Sequence, residues 1–267
     1  MYSIDLGGRT GLIFGVANQR SIAWAIAECV AAAGAQLAYS YQGDRLRRIL
    51  EKLTQAQEGA LLLQCDVGSD DELDQVFEAV ERNFGNLDFV VHAVAYAPRE
   101  TFESPFSETS RQAWQAAMDI SAYSLVAIAR RAAPLMKQGG SITTLSYLAA
   151  ERVVPKYNMM GVAKAALEAS VRFLAYDLGP QAIRVNAISA GPLRTIAARS
   201  IPGFAEMAAR SAEMAMLKRN ISQEEVGGLA LSLIADCLGS GITGETIYVD
   251  AGYHAMGMFG SSAEPVS

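Results

Sequence analysis

Seven short apolar runs punctuate the chain: Leu12–Phe14, Leu37–Tyr41, Leu61–Cys65, Phe89–Ala93, Ile142–Leu145, Val185–Ile188 and Ile247–Val249. Their length and composition read as strands. Between them lie stretches of helical period, Ile22–Ala33, Glu72–Phe84, Arg111–Met136, Asn158–Leu178 and Gln223–Ala235. Strands alternating with helices of this length predict right-handed crossovers, and so an α/β Rossmann fold: a doubly wound parallel sheet of about seven strands. No repeat, low-complexity tract or linker divides the chain. The expected organisation is one catalytic domain over 1–256 and a loose tail over 257–267. One segment, from Gly191 to Asn220, breaks the alternation. It carries Ile201, Phe204, Met207, Met214 and Met216 without a strand of its own. It reads either as an apolar lid over 192–220, beyond the C-terminal strand ends where ligands bind in such sheets, or as an ordinary core helix.

Composition narrows the class. A chain of 267 residues with 51% apolar content and 23 glycines suits one large α/β domain. A net charge of −6 and a pI near 5.1 argue against a nucleic-acid partner. Cys29, Cys65 and Cys237 are widely spaced and lack a CxxC, so they read as reduced thiols. Only two histidines occur, in no ligand motif, and no catalytic metal is expected; His92, ending an apolar strand, reads as structural. The first nine residues match neither a signal peptide nor a membrane span, which predicts a cytoplasmic protein.

After the first strand comes Gly15-Val-Ala-Asn-Gln-Arg-Ser21-Ile22-Ala and then a helix. This is where a Rossmann fold turns around a pyrophosphate. Gly15 permits the tight turn, and Ser21 is a natural N-cap whose hydroxyl and neighbouring N–H groups suit phosphate. The full GxGxxG is missing. The second strand ends at Tyr41-Gln42, where the ribose-reading residue belongs. Neutral Gln42 favours NADH, while Arg45, Arg47 and Arg48 leave NADPH open. Asp66-Val67, after the third strand, either flank the adenine or simply cap a helix.

Tyr147 follows the fifth strand, and Tyr157-Asn-Met-Met-Gly-Val-Ala-Lys164 opens the next helix. Lys164 follows Tyr157 by seven positions, nearly two turns, so both can face one side. The spacing is common by chance, but its place beside the C-terminal end of a strand makes it a candidate site.

Taken together, Gly15-x5-Ser21-Ile22-Ala23, Tyr41-Gln42, Cys65-Asp66-Val67, Val91-His92 to Ala97-Pro98, Tyr147-x9-Tyr157-x6-Lys164, Arg184 to Pro192 and Gly244 to Gly252 resemble the enoyl-acyl-carrier-protein reductases. These are divergent short-chain dehydrogenase/reductases, and the likeness covers nearly the whole chain. It implies reduction of trans-2-enoyl-acyl-carrier-protein thioesters with NADH, in the last step of fatty-acid elongation. Acyl carrier protein would be the partner and a homotetramer the assembly, although the apolar long helices would also suit burial within one subunit. It further implies that Tyr157 donates a hydrogen bond to the thioester carbonyl, Lys164 holds the nicotinamide ribose and Tyr147 assists. Lys164 would lower the Tyr157 pKa. The dinucleotide would meet Gly15, Ser21, Ile22, Gln42, Asp66, Val67, Val94, Lys164, Leu193, Arg194, Thr195, Ile196 and Ala197. Ala97, Tyr147, Tyr157, Met160, Ile201 and Phe204 would meet the acyl substrate. Ala25 and Ala95 depart from a family pattern in which many members carry glycine. A conventional short-chain dehydrogenase instead has Tyr-x3-Lys with a serine thirteen positions before the tyrosine; here Gly161 and Thr144 occupy those positions. A non-catalytic dinucleotide-binding regulator is the third reading.

Overall fold

The computed structural model describes residues 4–195 and 203–257. Its strands are β1 (Thr10–Phe14), β2 (Gln36–Tyr41), β3 (Leu61–Gln64), β4 (Phe89–His92), β5 (Gly140–Ser146), β6 (Ile183–Ala190) and β7 (Thr246–Val249). All pair in parallel in one sheet, ordered β3-β2-β1-β4-β5-β6-β7. The order reverses between β1 and β4, and a crevice opens beyond their C-terminal ends. Helices cover both faces, which is why β1 and β6 are buried at every position.

The helices are α1 (Ile22–Ala32), α2 (Asp44–Leu53), α3 (Asp70–Phe84), α4 (Glu100–Glu103), α5 (Arg111–Met118), α6 (Ser124–Ala132), α7 (Asn158–Leu178), α8 (Phe204–Met214), α9 (Gln223–Ile234) and α10 (Asp236–Gly239). One layer of the core joins the sheet to residues of α3, α6 and α7, including Leu73, Val80, Ile128 and Leu167. The other joins it to α1 and α9, including Ile26, Val30, Val226 and Leu233. Local chemistry sets the helix ends. Ser69 accepts the Glu72 N–H to start α3, with Asp70, Asp71 and Glu72 in the first turn where the helix dipole favours acids. Ser222 and Glu225 form a reciprocal capping box at the start of α9.

Two features differ from the sequence expectation. Helix α2 forms where none was predicted, its Leu46, Ile49, Leu50 and Leu53 at helical spacing. The Arg111–Met136 stretch is not one α-helix: a π turn, Asp119–Tyr123, joins α5 to α6, and Ala133–Leu135 is a 3-10 turn. The Gly191–Asn220 segment contains α8, whose Ala208 and Ser211 are buried. The expected contacts Ile196, Ala197 and Ile201 lie outside the described residues, as does most of the expected tail.

Candidate active site

Gly15 ends β1 with φ of 95°, and a Cβ there would come within 2.1 Å of the Ala93 carbonyl oxygen. Only glycine lets this loop pass so close to the chain leaving β4. Ser21 behaves differently from the expected helix cap. Its Oγ accepts the N–H groups of Ala17 and Asn18, at 3.0 and 2.9 Å, and so folds the loop rather than capping α1. Its proton stays available to donate. The backbone turn is thereby preset for a small anion at the helix start.

At the far end of the crevice, Gln42 Nε2 donates to Asp66 Oδ2 at 2.8 Å. Asp66 does not cap α3, since Ser69 does; its Oδ1 accepts the Gly68 N–H at 2.9 Å and its own N–H donates to Glu72. An amide held by a carboxylate suits two ribose hydroxyls and repels a 2′-phosphate. Arg45 and Arg48 are exposed on α2, and Arg47 is paired with Glu51 at 2.9 Å. Val67 and Val94 pack as half-buried residues against the core.

Between these ends lies a cleft of 510 Å³, mostly apolar. It brings together Ile22, Ala97, Tyr147, Tyr157, Met160, Leu193, Thr195 and Phe204, all expected from sequence. Tyr96, Phe102, Ser146 and Met207 also line it and were not among the expected contacts. Tyr96 and Phe102 are surface aromatics outside any periodic pattern. Met207 was legible only as one apolar residue of the 191–220 segment, and α8 lowers it, with Phe204, onto the cleft. Arg194 stands outside, bordering a neighbouring cleft with Arg20 and Lys52 that Thr195 also lines.

The candidate residue Tyr157 sits on a constrained stretch of backbone. Tyr157 immediately precedes α7, and its neighbours Lys156 and Asn158 have φ of 66° and 38°. Such left-handed residues cost energy and persist only where surrounding contacts hold them. Asn158 supplies some, donating to the Thr101 and Ser104 carbonyls at 3.0 Å each. The rings of Tyr147 and Tyr157 lie 4.9 Å apart, tilted by 55°. The Tyr147 hydroxyl is 3.8 Å from Met207 Sδ.

Electrostatics correct one expectation. Burial raises the Tyr157 pKa well above the phenol value, and Tyr147 adds to the rise; Lys164 does not lower it. Burial likewise pushes Tyr147 up to about 12. Lys164 is itself buried, its Nζ donating to the Leu145 carbonyl at 2.7 Å, and desolvation lowers its pKa to about 8, with Glu168 partly opposing. Two neutral phenols therefore face the cleft at neutral pH. Beneath them Ser146 donates a short hydrogen bond to Glu168.

Thr144 has no access to this chemistry. Register pairs it with His92, and its Oγ1 lies 2.8 Å from His92 Nδ1 while Ser124 Oγ lies 2.8 Å from Nε2. Ser124 spends its proton on the Ile120 carbonyl, so Nε2 carries the hydrogen and Nδ1 accepts from Thr144, whose hydroxyl proton is shared with the His92 carbonyl oxygen at 3.2 Å. Burial lowers the His92 pKa to about 3, and the imidazole is a neutral core group. The described residues hold no group of three or more His, Cys, Asp or Glu placed to bind a metal. None of the described helices is long and apolar enough to cross a membrane.

A family model described as enoyl-(acyl carrier protein) reductase matches residues 15–254. An NADH enoyl-[acyl-carrier-protein] reductase of Rhizobium meliloti is 50% identical over 98% of this chain and 96% of its own. Among solved structures, the enoyl-acyl-carrier-protein reductase of Anaplasma phagocytophilum in complex with NAD is similar at TM-score 0.91. It is 45% identical, covering 98% of this chain and 97% of that one. The Bacillus cereus reductase with NADP+ and an indole naphthyridinone is similar at TM-score 0.92 and 49% identity, covering 95% and 99%.

Proposed function

Since this chain belongs to the enoyl-(acyl carrier protein) reductase family, we propose that the paired tyrosines of the cleft are the groups with which it reduces its substrate. The enzyme is an NADH-dependent enoyl-[acyl-carrier-protein] reductase, acting on the carbon–carbon double bond of trans-2-enoyl thioesters carried by acyl carrier protein in fatty-acid synthesis. The observation that carries the residue assignment is the tilted Tyr147–Tyr157 pair with neutral hydroxyls, above a buried Lys164 and with Thr144 locked away.

Reduction by conjugate addition puts negative charge on the thioester carbonyl oxygen as the substrate becomes an enolate. NADH, when bound, supplies the hydride that the β-carbon takes. Tyr157 donates a hydrogen bond through its O–H to the carbonyl oxygen, and a proton taken up from solvent reaches the α-carbon to complete the saturated thioester. The raised pKa of Tyr157 keeps its hydroxyl proton in place at neutral pH, so the donor is present before the charge develops. A phenolate base, which alcohol oxidation would need, is disfavoured by the same burial. Lys164 holds the nicotinamide ribose through its ammonium, and Tyr147 orients the substrate against Met207. Gly15, Ser21, Ile22, Leu193, Arg194 and Thr195 form the pyrophosphate side of the dinucleotide site, Gln42, Asp66 and Val67 its adenosine end, and Val94 lies between. Ala97, Met160 and Phe204 wall the acyl pocket.

Residues 1–256 act as one catalytic unit in this reading, in the cytoplasm. The exposed aromatics Trp114, Tyr123, Phe173 and Tyr176 on the two long helical segments support a homotetramer. Crotonyl thioester and a panel of ketones, each offered with NADH, test the activity. NADH consumption with the thioester and not the ketones is expected, and consumption with ketones alone would overturn it.

A further inference from the structure

Ser121 of the π turn and Ser124, the first residue of α6, grip the same neighbouring segment. Ser121 is fully buried; its Oγ accepts the Tyr96 N–H at 2.8 Å and donates to the Tyr96 carbonyl at 2.7 Å. Three positions on, Ser124 accepts from the His92 ring at 2.8 Å. His92 is the last residue of β4, so the segment from His92 to Tyr96 is fastened at both ends to one turn of helix. The second fastening lies within the cleft wall, for Ala95, Tyr96 and Ala97 all line it.

The Tyr96 side chain is 53% exposed, so packing of its ring does little to fix the backbone. A single hydroxyl satisfying both polar groups of one residue does that instead. Met160, which also lines the cleft, has its Sδ 3.8 Å from the same Oγ. One buried serine thus contacts two residues of the cleft lining, Tyr96 and Met160. Helices with a π turn expose such groups because the widened turn shifts side chains out of the regular i, i+4 register, and these turns recur at functional sites.

We propose that Ser121 is a positioning residue for the acyl substrate, holding the Ala95–Ala97 wall at the spacing the enoyl chain needs. This rests on the cleft being the enoyl thioester site. It assigns to the π turn a role in substrate affinity that neither tyrosine performs. Without the hydroxyl, the N–H and C=O of Tyr96 turn to water, and the wall fluctuates while the fold persists.

The test uses the full chain with Ser121→Ala and Ser121→Cys, the second keeping the size and a weak S–H donor. Amide exchange of the 93–102 region is measured without substrate, and KM and kcat are measured with crotonyl and dodecenoyl thioesters. For Ser121→Ala, faster exchange confined to that region is expected, with the thioester KM raised about tenfold, as loss of an ordering hydrogen bond implies. The kcat and the NADH KM stay near their starting values, and Ser121→Cys falls between. Unchanged exchange, or a KM that moves only together with kcat, NADH affinity and melting temperature, would overturn the proposal. If the unaltered enzyme fails to reduce enoyl thioesters, the activity falls as a reading, while the exchange measurement still decides whether Ser121 holds the wall.

Discussion

The two ends of the sheet treat their polar groups in opposite ways. At the N-terminal ends of the strands Arg9, Asp88, Arg184 and Asp236 match one another's charges. Arg9 donates to Asp88 at 2.8 Å and to Asp236 at 3.0 Å, and the second oxygen of Asp88 takes the Thr10 N–H at 2.8 Å. Arg184, buried in β6, donates to the Leu233 and Ile234 carbonyls and to Asp236 at 3.2 Å. At the C-terminal ends the Tyr157 hydroxyl has no hydrogen bond to a described residue, and Tyr147 has only a sulfur at 3.8 Å. Both ends are partly buried, so the contrast lies in the partners. Saturated groups hold the fold together, while under-satisfied ones keep their hydrogen-bonding capacity for a substrate.

The sharpest way to break this comparison is to remove one group from each end. Tyr157→Phe deletes the substrate-facing donor, and kcat on crotonyl thioester is expected to fall about 100- to 1000-fold. Its melting temperature should hardly move, since no internal bond is lost. An unchanged kcat would remove Tyr157 from the chemistry. Arg184→Ala should do the reverse. It strands the Ile234 carbonyl and leaves the Leu233 carbonyl to Ser141 and Asp236 to Arg9, and a loss of about 1–3 kcal/mol in unfolding free energy is expected in denaturant titration. Turnover of the folded fraction should be retained. A smaller effect tests Lys164, the cation buried below the two tyrosines. Its pKa is lowered to about 8 by burial, so the ammonium is complete below that pH and lost above it. Activity should therefore fall as pH rises through that value, by about tenfold per unit at the limit. A profile that stays flat into the ordinary lysine range would detach Lys164 from the reaction.

How much of this was legible in the chain differs by element. The strands and the α7 helix stand out because apolar runs and periodicity are local properties. The Tyr147, Tyr157 and Lys164 set was found through motif spacing, and the structure brings Tyr147 and Tyr157 onto one cleft with Lys164 buried beneath. Helix α2 was missed although Leu46, Ile49, Leu50 and Leu53 repeat at helical spacing; its arginines drew attention to the cofactor instead. The π turn was invisible for another reason. Apolar periodicity runs through Arg111–Met136 without interruption, and a single widened turn changes it too little to detect. Ser121 carries no sequence signal at all, since its importance lies in a contact 25 positions away. The direction of the Tyr157 shift was misjudged because proximity to a lysine in sequence says nothing about which way the ammonium points. Here it points to the Leu145 carbonyl.

The His92–Thr144 bond bears on how one chemistry turns into another. Conventional short-chain dehydrogenases use a hydroxyl at the Thr144 position, so converting this enzyme to carbonyl reduction looks like moving one lysine. It is not. Recruiting Thr144 for a substrate would leave His92 Nδ1 unsatisfied in a dry core, a cost of about 1–3 kcal/mol that comes before any gain in the new activity. Replacing His92 first would in turn loosen the strand end that Ser124 holds. An evolving or engineered lineage would have to change the core and the site together, and a fully buried imidazole acts as a ratchet against reversal.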